Sequence, residues 1–127
     1  MLSKEEAIRK HREMWNWIAD RIMERKQPVI IGNLKREYVE QHNENILYNC
    51  YLCEYCMDML LEEGEELEER CKYCPVDWES DGGEDGLYQC LESHDEMGLY
   101  AEAERTVVWE EQYKLCKKIA NLKEVGQ

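Results

Sequence analysis

The sequence predicts a mainly α-helical single domain, small, with irregular loops and a core drawn in around a group of cysteines. Three observations lead there. Apolar residues recur at helical spacing near both ends of the 127-residue chain. Six of the seven cysteines fall within residues 50–99. That same stretch carries clustered acids and glycines, which suit loops better than strands. The chain divides accordingly into an N-terminal helical part (1–49), an acidic cysteine-rich segment (50–99) and a C-terminal helix (100–127).

The first element is a helix over residues 3–26. Ser3 is placed to cap it, and Glu6 three residues later completes a capping-box pattern. Ile8, Trp15, Ile18 and Ile22 fall on one face, with Met14 beside them and His11 on the same stripe. Gln27-Pro28 ends the helix. Val29-Ile30-Ile31 reads as a short extended piece, and Asn33 as the cap of a short helix running to about residue 42. Residues 45–53 are apolar and aromatic and read as extended. Residues 54–70 have helical character, with Met57, Leu60, Leu61 and Leu67 near one face and Gly64 interrupting. Residues 75–86 are loop. A short helix is expected over 87–96 and a longer one over 101–122, burying Val108, Leu115, Ile119 and Leu122, with Trp109, Tyr113 and Cys116 adjacent.

Composition narrows the possible functions. The chain lacks Phe, so four Trp, eight Tyr and six Met must supply its bulky packing. No apolar run reaches the length of a membrane span. The charged start, Met1-Leu2-Ser3-Lys4-Glu5-Glu6, has no signal-peptide character, so the cytoplasm is the expected location. In a reducing compartment, seven cysteines are better explained by metal ligation than by disulfides. The net charge of −13 is concentrated: residues 50–99 hold two Lys/Arg against sixteen Asp/Glu, a net of −14. A nucleic-acid-binding finger needs the opposite sign to neutralise phosphates. An acidic segment of this kind attracts a basic protein surface instead.

Cys50-Tyr51-Leu52-Cys53 and Cys71-Lys72-Tyr73-Cys74 form two pairs, each with a two-residue gap. Such a gap lets two thiolates converge on one ion while backbone amides hydrogen-bond the sulfurs. Two pairs complete the tetrahedron of a structural zinc site. Seventeen residues separate Cys53 from Cys71, within the usual window of roughly 15–20. Cys56 offers an overlapping register with Cys53, but only fourteen residues then separate it from Cys71. The expected ligands of Zn2+ are therefore Cys50, Cys53, Cys71 and Cys74, with Cys56, Cys90 and His94 as alternates. Four thiolates also suit iron. They leave no open position for catalysis, and the βαβ context of a redox pair is absent.

Other signals are weaker. Cys90 and His94, four apart on the expected 87–96 helix, could form a nucleophile pair or ligate a metal, but no orienting third group accompanies them. A packed Cys and a surface His explain them as well. Asp77, Glu79, Asp81 and Gly82 resemble the start of a calcium loop, yet position twelve would be Tyr88 where a bidentate Glu is needed. A solvated acidic loop fits better. His11 reads as a packed, hydrogen-bonded histidine rather than a ligand, and Cys116 as core. Trp15 and Trp17 lie on different helix faces, one suited to the core and the other to a partner contact.

Three stretches carry a resemblance: Lys10-His11-Arg12-Glu13-Met14-Trp15-Asn16-Trp17-Ile18-Ala19, Asn49-Cys50-Tyr51-Leu52-Cys53-Glu54-Tyr55, and Cys71-Lys72-Tyr73-Cys74-Pro75-Val76-Asp77-Trp78. Together they resemble small, mostly uncharacterised cysteine-cluster proteins of phages and prophages of Gram-positive bacteria. The Cys-Pro-aliphatic-x-Trp ending is the most specific part, and Cys90 corresponds to a further cysteine downstream in such proteins. The resemblance implies a phage source, a host-cytoplasmic address and a bound metal, not an activity. The leading functional expectation is a non-enzymatic accessory protein whose acidic surface binds a protein partner, such as a host nucleic-acid-handling or defence enzyme. The alternatives are an enzyme using Cys90 and His94, and a zinc module binding nucleic acid through Arg9, Lys10, Arg12, Arg21, Arg25 and Lys26.

Overall fold

Ser3 opens the first helix as its sequence requires. Its backbone is extended, and its side-chain oxygen accepts a hydrogen bond from the Glu6 amide at 3.1 Å. The structure, a computed structural model, describes residues 2–44, 46, 50–64, 73–78 and 98–125. Helix α1 (Lys4–Arg25) buries Ala7, Ile8, His11, Met14, Trp15, Ile18, Ala19 and Ile22. That is a continuous stripe at spacings of three and four. Lys26 ends the helix in the left-handed region, φ 52°, and returns its amide to the Ile22 carbonyl. Pro28 follows and cannot continue the helix.

Helix α2 (Ile31–Gln41) starts two residues before the expected Asn33 cap. Ile30 occupies the cap position with extended backbone and no side-chain bond, so burial of Ile31 and Leu34 sets this end rather than capping chemistry. Helix α3 (Tyr51–Glu63) also differs from the sequence expectation. Residues 51–53 are helical, not extended, because Cys50 caps them. The helix stops at Gly64, whose φ of 69° favours a residue without a Cβ, and its amide closes on the Leu60 carbonyl. Of the four apolar residues expected on its inner face, Leu60 is buried, Met57 is half-buried and Leu61 is 75% exposed. Leu67 lies outside the described residues. The buried stripe is Tyr51, Leu52, Cys56 and Leu60.

The single helix expected over 101–122 is two. Helix α4 (Leu99–Arg105) and helix α5 (Trp109–Ala120) flank a break at Thr106-Val107-Val108. Three consecutive β-branched residues weaken the helix there, and the Thr106 hydroxyl accepts the Val108 amide at 3.3 Å, an alternative to the helical bond. Val108, expected inside, is 48% exposed, while Cys116, Ile119 and Leu122 are buried. The expected helix over 87–96 lies outside the described residues.

Helix α1 is the central element. It packs most extensively on α5, then on α3, with α2 also against it and α4 lying on α5. Their shared core includes Met14, Trp15, Ile18, Ile22, Tyr51, Leu52, Cys116 and Ile119. Gln112, fully buried, ties three elements together. Its Oε1 accepts the Val29 amide at 2.8 Å, and its Nε2 donates to the carbonyls of Val29 and Ala103, each at 3.0 Å. Among the described residues there is no strand, only an isolated antiparallel bridge between Val76 and Glu124. The architecture is mainly α-helical.

Candidate metal centre

The N-terminus of α3 gathers three cysteines. Cys50 sits at the cap with extended backbone, φ −132° and ψ 112°, and its Sγ accepts the Cys53 amide at 3.3 Å, as a serine oxygen would. The Leu52 amide also bonds to this sulfur. Cys53 and Cys56 follow at intervals of three, the latter 3% exposed. Tyr51 and Leu52, each 1% exposed, press this end of the helix into the core. The Tyr51 hydroxyl donates to Glu44 Oε1 at 3.0 Å, and Lys10 Nζ holds Glu44 Oε2 at 3.0 Å. This network joins α1, the end of α2 and α3 just beside Cys50.

The second contribution comes from residues 73–78. Val76 and Trp78 are buried, and the segment is stitched to the chain end beyond α5 by Asp77 N–H to Lys123 O at 2.8 Å and Val125 N–H to Pro75 O at 2.9 Å. The Cys74 sulfur accepts the Trp78 indole N–H at 3.3 Å and the Val76 amide. The aliphatic-x-Trp tail after Cys74-Pro75 thus has a local purpose. Two buried side chains anchor the turn, and the second reaches back to the sulfur.

The four described thiols of this region interact with one another. Cys50 is hydrogen-bonded to Cys53, Cys56 to Cys74, and Cys56 senses the charge of Cys50 and Cys53 as well. The Cys50 thiol is held below its ordinary range, first by the bond from Cys53, against burial, and further by Lys35 and the amides of Cys53 and Leu52. Cys74 is lowered by its bond from Cys56, against burial, with the Val76 amide and the Trp78 indole assisting. Cys56 moves up, as the donor to Cys74 and through its own burial. Two of the sulfurs, Cys50 and Cys74, thus accept from N–H groups and from a neighbouring thiol, which favours their charged form. Donors of this softness fit zinc or iron. Among the described residues, however, no three His, Cys, Asp or Glu side chains are arranged to hold a metal ion. Cys71 lies outside the described residues, as do Cys90 and His94. Of the four favoured ligands the structure therefore places Cys50, Cys53 and Cys74, and it brings the alternate Cys56 to Cys74.

The remaining candidates sort by burial. His11 is 1% exposed, and its Nε2–H donates to the Ile119 carbonyl at 3.0 Å. Trp15 and Trp78 flank it, with ring centroids 6.3 and 6.0 Å away. Burial lowers its pKa to about 4, only partly offset by the carbonyl bond, with Lys35 and Arg12 lowering it further. Cys116 is fully buried and burial raises its pKa to about 12, which keeps it a thiol. Trp17 stays half-buried, its ring tilted against that of Tyr38 and lying under Arg21. On α1, Arg9 pairs with Glu13, Lys10 with Glu44 and Arg21 with Glu24, and Arg12 donates to the Leu122 carbonyl. Asp77 is exposed, and the other calcium-loop positions (79–82 and Tyr88) lie outside the described residues.

Sequence reading missed Lys35, which is 6% exposed on α2. The signal was present: Ile31, Leu34, Lys35, Tyr38 and Val39 follow core spacing, with a cation at one of the inward positions. No helix of the described residues is long and apolar enough to cross a membrane. Comparison with protein-family models, with curated proteins and with solved structures finds no match to this chain.

Proposed function

We propose that this chain is a non-enzymatic accessory protein, stapled by a structural zinc ion, that acts by binding a protein with a basic surface. The observation that carries the proposal is the coincidence of charge and cysteines in one segment. Residues 50–99 hold a net −14 and six of the seven cysteines. A zinc ion bound by Cys50, Cys53, Cys71 and Cys74 fixes both ends of the stretch from residue 54 to 70, whose glutamates repel one another. The thiol contacts among Cys50, Cys53, Cys56 and Cys74, and the N–H groups aimed at two of the sulfurs, support such a centre. That stretch supplies six carboxylates within eight residues, Glu62, Glu63, Glu65, Glu66, Glu68 and Glu69. A protein that handles nucleic acid offers the matching surface, a channel lined with Lys and Arg, where carboxylates take the place of phosphates. In the setting of a phage protein, the natural target is a host nuclease or defence enzyme. The ion pairs that occupy Arg9, Lys10 and Arg21 favour this reading over direct nucleic-acid binding.

The test is charge reversal. Binding to a panel of bacterial nucleases is measured by interferometry at two salt concentrations, for the native chain and for a variant with those six glutamates changed to Lys. The proposal expects at least one nuclease to bind the native chain, more weakly at high salt, and not to bind the variant. Equal binding of both proteins contradicts it, as does a native chain that binds none of the panel.

A further inference from the structure

We propose that the end of the bundle where α1 leads into α2 and α4 turns into α5 is the face on which two copies of this chain join. The proposal goes beyond partner binding by the acidic segment and does not depend on a metal.

Six large apolar side chains stand exposed among the described residues, and four of them belong to this end. Met23 lies on the last turn of α1, Ile30 just before α2, and Val107 and Val108 between α4 and α5. Gln112 brings the two stretches together. Its side chain holds both backbone groups of Val29, the neighbour of Ile30, together with the Ala103 carbonyl. Its own amide closes on the Val108 carbonyl at 3.0 Å. Ile30 and Val107 are 70% and 84% exposed. Neither fills the core, and polar residues would serve a connection as well. Apolar side chains gathered in one exposed place mark a contact surface.

Charge names the occupant. Residues 21–30 hold three Lys/Arg against one Asp/Glu, a net of +2, and residues 104–111 hold one against three, a net of −2. The face is neutral in total on a chain of net charge −13, and its two halves are of opposite sign. Arg21 pairs with Glu24 and Lys114 with Glu111. Arg25, Lys26, Glu104, Arg105 and Glu110 are exposed and form no ion pair among the described residues. These charges suit the helix ends that bear them, but that does not account for the apolar residues between. A positive half and a negative half beside an apolar strip are complementary to themselves. A two-fold axis through the strip sets each half against its opposite on the second copy. A uniformly basic or acidic partner would be repelled by one half. The described cysteines stay uncovered, because Lys10 and His11, which meet Glu44 and Trp78, lie about 20 Å back along α1 at 1.5 Å per residue.

The experiment is sedimentation velocity of the full chain, with a reductant present to prevent cross-linking through the thiols, over about 1–200 μM, where a modest interface associates. The proposal expects a monomer–dimer equilibrium for the native chain and a dissociation constant raised at least about tenfold by Val107→Asp. Circular dichroism records folding, and Ile30→Asp carries this arm if Val107→Asp does not fold. Two charge variants test the two-fold arrangement. Arg25→Glu with Lys26→Glu reverses the positive half, and Glu104→Lys with Glu110→Lys reverses the negative half. Each alone should self-associate more weakly than the native chain, and an equimolar mixture of the two should recover the dimer. A native chain that stays monomeric throughout the range overturns the proposal. So does a folded Val107→Asp or Ile30→Asp variant that dimerises like the native chain, or a mixture that associates no better than its components. None of these readouts involves a nuclease or zinc, so the result stands apart from the function proposed above.

Discussion

His11 should make this protein acid-sensitive through a single buried imidazole. The ring sits between Trp15 and Trp78 with its Nε2–H on the Ile119 carbonyl, and burial lowers its pKa from 6.5 to about 4. The unfolded chain binds the proton near pH 6.5, and the folded chain resists it until near pH 4. In that interval the unfolded state holds more protons, so stability falls as pH falls. Each pH unit costs about 1.4 kcal/mol, and the total near pH 4 is about 3 kcal/mol. Above pH 6.5 the contribution is constant. Replacing His11 with Gln keeps a donor for the Ile119 carbonyl and removes the titration. Urea unfolding followed by tryptophan fluorescence, in steps from pH 7 to pH 4, gives the comparison. Both proteins lose any thiolate-bound metal on acidification, so the informative quantity is the difference between them. The native chain should lose about 3 kcal/mol more than His11→Gln over this range. Parallel profiles for the two proteins would falsify the assignment of His11 as a neutral core residue.

Two other substitutions test the frame that carries the thiols. Gln112→Leu fills the same space but strands the Val29 amide and the carbonyls of Val29 and Ala103, so denaturant unfolding should show a loss of about 2–4 kcal/mol. Gly64→Ala meets no atom within 4 Å, so its cost is purely that of holding φ near 69° with a Cβ, about 1 kcal/mol by the same measurement.

The strongest parts of the fold were legible because several local signals agreed. In α1 the cap, the apolar period and the Pro stop all point to one helix, and the structure has it within a residue at each end. The failures lie where one signal stood alone. The period from 101 to 122 was continuous enough to suggest one helix, but the Thr106-Val107-Val108 break depends on side-chain bonding and β-branching that periodicity ignores. At α3, Cys50 also caps the helix, because a sulfur can accept the same amide that a serine oxygen does, and pair spacing carries no sign of that. Leu61 looked like core by its neighbours, yet the stripe through Tyr51, Cys56 and Leu60 turns it outward.

The candidate site was legible in part. Spacing identified the cysteines, and the Cys-Pro-aliphatic-x-Trp ending marked the turn whose Trp78 indole reaches Cys74. Which sulfurs approach each other was not legible. Cys56 reaches Cys74 only because α3 begins at residue 51 and carries it inward, and a pair-spacing rule knows nothing of that start. Lys35 was hidden for a simpler reason. Lysines are so commonly exposed that one on a core stripe passes for an irregularity until its burial is seen.

The metal content of the purified chain tests the central claim most directly. Native mass spectrometry of the protein as isolated, beside Cys71→Ser and Cys74→Ser, reports both stoichiometry and dependence on the thiols. The account predicts one zinc ion per native chain, lost in both variants together with much of their helical structure. A native chain that carries no metal, or one that keeps its metal in both variants, contradicts it.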